Sequence, residues 1–373
     1  MDDRTKRTWA EVSLSAIEHN YRAMRERLPE GCRFLGVVKA DAYGHGAVPV
    51  SRRLEALGCD YLAVACIDEA RELRGAGIGL PILILGYTPP EYAPELAEKR
   101  VTQAVGSLDA ACALNDALEG TGLTLKVHLK LETGMGRTGF RVFGQWKALP
   151  AATAVRLPHL DAEGVFTHFC VSDAEEGVRD FTQEQFRRFL AGIDAIETRS
   201  GHHFAIRHCT NSGAMHAFPE TYLDMVRPGV SLYGMYPGPV RDRIDLIPAM
   251  TLKTRVAYVE KHEPGDTVSY GRTFTADRPM ETAVLPIGYA DGLHRVLSNK
   301  LTVLINGRRV PQVGRICMDM CMADVTGLGV KPGDEAEIFG RNMPIDDVAD
   351  LAGTIHYELT CAVSPRVPRV YVD

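Results

Sequence analysis

The sequence predicts an α/β fold, an N-terminal (β/α)8 barrel of the TIM type over residues 12–240, followed by a mostly β C-terminal domain over residues 241–373. Three observations predict it. Over the first ~240 residues, short β-branched and apolar runs alternate with stretches of helical apolar spacing, the pattern of a parallel sheet with crossover helices. Eight such runs can be counted, the number that closes a barrel. Beyond them the helical spacing gives way to strand-like segments punctuated by turn residues.

In order, the runs are FLGVVKA (34–40), YLAVACI (61–67), PILILGY (81–87), VTQAVGS (101–107), KVHLKLE (126–132), GVFTHFC (164–170), FAIRHCT (204–210) and MVRPGVSLYG (225–234). Helices are expected at 15–28, 47–57, 68–77, 108–119 and 184–199. In the last of these Phe186, Phe189, Leu190, Ile193 and Ile196 recur at helical spacing. The structural rival is a doubly wound open sheet. In the tail, MTLKTRVAYVEKHEPGDTVSYG, TAVLPIGYADG, LTVLINGRRVPQVGRICM and EAEIFG read as strands broken at EPGD, NGRR and KPGD turns. The first 11 residues are expected to pack with that second domain.

Composition narrows the function classes. A net charge of -6 argues against a nucleic-acid or anionic-membrane partner, both of which call for a basic face. No apolar run approaches the ~18 residues of a membrane span, and the start MDDRTKRTW is too polar for a signal peptide, so a cytoplasmic location is expected. Nine cysteines, an odd number, read as reduced thiols. Cys317 and Cys321 are close in sequence, but no second Cys or His pair stands at zinc-site spacing. No metal is expected.

A barrel enzyme places its chemistry at the carboxyl ends of the strands. There the sequence puts Lys39 at the end of the first run, Lys130 and Glu132 at the end of the fifth, and Arg137 in the following TGMGRTG. His168 ends the sixth run, Asn211 and Ser212 follow the seventh, and Arg227 and Gly229 lie in the eighth. A lysine at the end of a buried strand loses solvation, which favours the neutral, nucleophilic amine needed for a Schiff base. Asn211, Ser212, Gly229 and Val230 fall after strands seven and eight, where barrels commonly hold a phosphate. A reactive lysine facing a phosphate cradle points to pyridoxal 5'-phosphate.

GVVKADAYGHG, KLETGMGRTGF, GVFTHF, HCTNSG, MVRPGVSLYG, VSYGRTF, GYADG, GRICMD and TIHYE through RVPRVY resemble, in order and over nearly the whole chain, the motifs of the alanine racemases. The resemblance implies a pyridoxal-phosphate enzyme that interconverts L- and D-alanine with two bases. Lys39 would be the Schiff-base lysine and one base; Tyr270, from the partner subunit of a homodimer, would be the other. Tyr43, Ser212, Gly229, Val230 and Tyr357 would bind the phosphate, His168 would lie near the pyridine ring, and Arg227 would contact the ring nitrogen. A guanidinium there cannot accept a proton, so the ring stays unprotonated and a weaker electron sink. The resemblance further assigns Arg137, Met318 and Asp319 to the substrate, a carbamate to Lys130, and Asp173, Tyr289, Arg295 and Arg315 to the entrance.

Two positions depart from the family pattern. Leu293 stands where many members carry an aromatic residue, and Met320 where a polar one is common. Both would widen or soften the entrance. Two further readings therefore compete with alanine racemisation: a broader or serine-preferring racemase, and a non-catalytic pyridoxal-phosphate-binding regulatory protein. The second is typically a barrel alone, so the β tail carrying Tyr270 argues against it. Tyr357 beside the phosphate would crowd a hydroxymethyl side chain and favour alanine over serine.

Overall fold

The computed structural model describes residues 7–174, 180–238 and 244–373. The boundary expected at residue 240, and residues 1–6 of the N-terminal segment, lie outside them.

The chain enters as strand β1 (Thr8–Ser13), and the Ser13 hydroxyl caps helix α1 (Leu14–Arg25) by accepting from the Ala16 N–H at 3.0 Å. Eight parallel strands then follow: β2 (Arg33–Val37), β3 (Tyr61–Val64), β4 (Ile82–Ile84), β5 (Val101–Val105), β6 (Leu125–Glu132), β7 (Leu160–Phe166), β8 (Ile206–His208) and β9 (Met225–Val226). They pair in the order β9-β2-β3-β4-β5-β6-β7-β8. The ring is drawn together between β8 and β9, where Asp224 N–H donates to Arg207 O at 3.1 Å and Arg227 N–H to Thr210 O at 2.9 Å. The open-sheet rival is thereby excluded.

Around the ring lie α2 (Ala47–Ala56), α3 (Ile67–Gly75), α4 (Ala93–Glu98), α5 (Leu108–Asp116), α6 (Leu149–Ala154), α7 (Asp180–Ser200) and α8 (Ser212–Ala217). Period-two alternation sorts the side chains. Phe34, Leu62, Val64, Ile82, Ile84, Val127, Leu129 and Leu131 join the large core shared with the helices, whereas Leu35, Val37, Tyr61, Ala63, Leu83, Ile206 and Met225 form a separate cluster inside the barrel. That inner cluster fills only part of the interior. On β6 the residues alternating with Val127, Leu129 and Leu131 are Lys126, His128, Lys130 and Glu132, so this wall of the barrel carries polar side chains.

The expected strands run past the observed ends of β2, β7 and β9. Lys39 lies two residues past β2 and His168 two past β7, and Arg227 and Gly229, expected inside the eighth strand, follow it instead. Pro228 lacks the N–H that would continue the ladder. The chain then turns through a short helical stretch, Val230–Tyr233.

The second domain is built on a nine-stranded sheet containing β10 (Met250–Arg255), β11 (Tyr258–His262), β12 (Met280–Leu285), β13 (Thr302–Ile305), β14 (Arg308–Val313), β15 (Cys321–Asp324), β16 (Glu335–Phe339) and β17 (Arg369–Val372), in the order β11-β12-β15-β14-β13-β16-β10-β1-β17. Strand β1 is antiparallel to β10 and parallel to β17. Two helices, α9 (Ile345–Ala352) and α10 (His356–Ala362), interrupt the β pattern. No helix among the described residues is long and apolar enough to cross a membrane.

Candidate active site

Directly after β2 the backbone turns the wrong way for L-residues. Ala40, Asp41, Ala42 and Tyr43 all have φ between 51° and 54°, a left-handed turn that begins at the residue after Lys39. Each such residue costs about 1–2 kcal/mol relative to right-handed helix. The turn is held from several sides. Glu69 Oε1 accepts from Ala40 N–H at 2.7 Å, Asp41 Oδ1 accepts from Ala47 N–H at 2.7 Å, and Tyr233 Oη donates to Val37 O at 2.8 Å. From the second domain, Arg369 Nε donates to Gly44 O at 2.9 Å. A Cβ at Gly44 would lie 2.2 Å from Thr360 O, and one at Gly46 would lie 1.9 Å from Tyr371 Oη. Both positions have positive φ, so glycine is required twice over.

The turn projects Lys39 into a ring of cations. Burial, and next the Arg137 guanidinium, push its amine below the ordinary lysine range. Lys130 is pushed down to about 8, chiefly by burial and then by Arg137 and Arg227, and its Nζ donates to Thr138 Oγ1 at 2.6 Å. His168 is held well below the ordinary imidazole range by burial and by Arg227, Arg137, Lys130 and Lys39. It is therefore neutral. Arg227, 4% exposed, donates from Nη2 to Thr167 O at 2.8 Å and lies 3.4 Å from His168 Nδ1. Because guanidinium can only donate, His168 accepts at Nδ1 and carries its proton on Nε2. Glu132 shapes the TGMGRTG turn, accepting from the N–H groups of Gly134 and, at 3.0 Å, of Arg137.

Opposite stands a small polar cradle. Ser212 Oγ accepts from Gly229 N–H at 2.9 Å and Ser231 N–H at 3.4 Å, next to Val230. A Cβ on Gly229 would meet Tyr43 Oη at 2.6 Å. Tyr43 in turn meets Tyr357 of α10 edge-on, ring centroids 6.2 Å apart. Asn211 faces the other way: its Oδ1 accepts from Ala214 N–H at 2.9 Å and Ser172 Oγ at 2.8 Å, and its Nδ2 donates to Phe169 O. Asp173 is exposed beside this loop, 3.0 Å from where a Cβ of Gly213 would sit.

The remaining candidates gather in the second domain. Ser269 Oγ donates to Arg315 O at 2.7 Å and contacts Cys317 Sγ at 3.4 Å, while the N–H groups of Tyr289 and Ala290 donate to the carbonyls of Cys317 and Met318 at 3.0 Å. These bonds bring Tyr270, Tyr289, Arg315 and Met318 onto one face, where Tyr270 is 71% exposed and Met318 52%. Asp319 pairs with Arg366 at 2.8 Å, and Arg295 is exposed nearby in sequence to Tyr289. Among the described residues no hydrogen bond or ion pair joins Tyr270 to Lys39, His168 or Arg227. One chain thus carries two separate clusters.

Residues 12–237 match the family model described as alanine racemase, N-terminal domain, and residues 249–371 that of alanine racemase, C-terminal domain. The chain belongs to the alanine racemase family. It is accordingly an isomerase. Alanine racemase of Desulfovibrio desulfuricans is 47% identical over 368 residues, covering 98% of each chain, and that of Desulforamulus reducens is 46% identical over 369 residues, again 98% of each. Among solved structures, alanine racemase of Clostridium difficile 630 superposes with a TM-score of 0.94 at 40% identity, covering 99% of this chain and 96% of the other. That of Bacillus anthracis with bound L-Ala-P gives 0.92 at 34%, covering 99% and 95%.

Reading the sequence missed Thr138, the acceptor of Lys130, and the buried imidazoles His128 and His208. The signal for His128 was present: in KVHLKLE every second residue from Lys126 is polar, which in a barrel strand marks the inward face.

Proposed function

We propose that the chain interconverts L- and D-alanine by a two-base mechanism with pyridoxal 5'-phosphate, using Lys39 of one subunit and Tyr270 of its partner in a homodimer. The observation that carries this reading is the desolvated Lys39 amine set across a buried mouth from the Ser212–Gly229 cradle. The residues present fit the cofactor. Gly229 carries no Cβ, which alone leaves space beside the Tyr43 hydroxyl, and Ser212 Oγ and the backbone at Gly229 and Val230 offer polar groups to a phosphate. Tyr43, Asn211 and Tyr357 would complete that end, with Asn211 acting through the loop that it caps. Lys39 would hold the aldehyde, and Arg227 would donate to the ring nitrogen. When bound, the cofactor supplies the electron sink that makes the substrate α-hydrogen acidic.

The chain's own groups do the rest. Lys39, kept low in basicity by burial, moves a proton on one face of the α-carbon; Tyr270 moves one on the other. Neutral His168, accepting from Arg227 at Nδ1, keeps its Nε2–H to donate to an oxygen placed beside it. Arg137, with Met318 and Asp319 from the partner, would orient the substrate carboxylate, and Asp173, Tyr289, Arg295 and Arg315 would narrow the approach. A carbamate on Lys130 would set an anion beside Arg137 in place of a repelling cation. The test is racemisation by the purified, cofactor-loaded protein across a panel of L-amino acids, with the visible spectrum recorded in parallel. Turnover of L-alanine above all others is expected. No turnover of any amino acid, with the cofactor bound, overturns the reading.

A further inference from the structure

Arg227 is a buried cation whose hydrogen-bond partners are neutral: the carbonyls of Thr167 and Cys209 and the imidazoles of His168 and His208. It is tied to a carboxylate, Glu163, only through a hydrogen-bonded chain that crosses the barrel. Arg227 Nη1 donates to His208 Nδ1 at 2.9 Å. Since that nitrogen must accept, His208 carries its proton on Nε2 and donates to His128 Nδ1 at 2.9 Å. His128 in turn carries its proton on Nε2, 3.4 Å from Glu163 Oε2. Glu163 also receives Tyr61 Oη at 2.6 Å and the ammonium of Lys126. Every donor and acceptor in the chain is fixed by the one group, guanidinium, that cannot reverse its role.

The path is built into the strands. Arg227 follows β9, His208 ends β8 and His128 lies in β6, so the chain must cross β7. It crosses at Gly164, paired in register with His128, where a Cβ would stand 2.7 Å from His128 Nε2. Two residues further along, Phe166 stacks on His208 with ring planes 13° apart. Both imidazoles are fully buried and held in the neutral form by burial, while Glu163 is kept ionised, its carboxyl held down to about 2 first by His128.

We propose that Glu163, His128 and His208 are positioning residues for Arg227, a one-way relay that fixes the orientation of its guanidinium from the opposite end of the barrel and leaves a donor free for the cofactor's ring nitrogen. A carboxylate placed directly against Arg227 would also orient it but would occupy that donor. This inference rests on the reading of Arg227 at the ring nitrogen.

The test uses the holoenzyme reconstituted with cofactor labelled with 15N in the pyridine ring, so that the nitrogen resonance reports its hydrogen bond apart from turnover. Glu163→Gln is expected to shift the resonance and to lower kcat about tenfold with KM for alanine within about twofold, the scale of a slightly misplaced catalytic group. Gly164→Ala, which pushes on His128, shifts it in the same direction, and His208→Gln, able to accept and donate as the imidazole does, restores most of what His208→Leu loses. If Glu163→Gln does not fold, Tyr61→Phe removes one donor to Glu163 and gives a smaller shift of the same sign. Arg227→Lys separates the two readings. If Arg227→Lys moves the resonance while folded Glu163→Gln and Gly164→Ala change only the melting temperature, the relay is wrong and the placement of Arg227 stands. If Arg227→Lys leaves the resonance unmoved, both fall.

Discussion

If Tyr270 serves the site of the other subunit, two inactive variants should repair one another. The perturbation is to mix Lys39→Ala with Tyr270→Phe and let subunits exchange. The two clusters described above fix the magnitude. A site needs the Lys39 cluster of one chain and the Tyr270 face of the other, so each mixed dimer has one site lacking both residues and one lacking neither. Random pairing makes about half the dimers mixed, and half of their sites are intact, so roughly a quarter of all sites should work. The assay is alanine racemisation per mole of subunit, alongside capture of doubly tagged dimers to measure exchange. Recovery should rise in proportion to the mixed fraction and level off near a quarter of the unmodified enzyme. Tyr270, at 71% exposure, is expected to tolerate Phe without harm to the fold. Captured mixed dimers with no return of activity would refute the shared-site reasoning and require Lys39 and Tyr270 to meet within one chain.

Three further outcomes are expected. Lys39→Ala should lose the visible absorbance of lysine-held cofactor, whereas Tyr270→Phe should keep it and lose most racemisation; a borohydride-reducible lysine adduct persisting in Lys39→Ala would contradict the assignment. L-Alanine should exceed L-serine in kcat/KM by ~10- to 100-fold, because the half-buried Tyr357 crowds a hydroxymethyl group but an apolar wall rejects a hydroxyl only weakly; equal values would count against this role. With Lys130 near pKa 8, about one amine in ten is neutral at pH 7 and about half at pH 8, so carbamate formation should rise with pH over that interval. A carbamyl carbon signal from 13C-bicarbonate, absent in Lys130→Ala, measures it, and no signal at either pH would exclude the modification.

The barrel was legible because its strands are marked twice, by β-branched composition and by the helical spacing between them. Each of the eight runs overlaps a strand of the ring, although the sixth strand starts at Leu160, four residues before its run. Their ends were not, since Val38 after β2 and Thr167 after β7 suit a strand as well as the residues before them, and only hydrogen bonding separates FLGV from the left-handed turn that follows. In the second domain α9 and α10 went unseen because they are short and lie among turn residues, although Tyr357 is carried on one of them. Within the candidate site, the members of the Lys39 cluster were identifiable from their places at strand ends. The relay behind Arg227 was not, because Glu163 and His208 stand on different strands and meet His128 only where Gly164 leaves an opening. Such a contact is a property of register, which a single chain read along its length does not display.

The left-handed turn after Lys39 also orders events in time. Its fasteners Thr360, Arg369 and Tyr371 come about 330 residues later in the chain, and β1, which leads into the barrel, has β17 as one of its two partners. At roughly 5–20 residues per second, a ribosome finishes those partners on the order of half a minute after Lys39 emerges. The barrel strands can assemble in that interval, but the lysine's backbone cannot be locked. The Lys39 amine is therefore among the last features of the molecule to be put in place, and a chain shortened by its final five residues should fold its barrel yet hold Lys39 loosely.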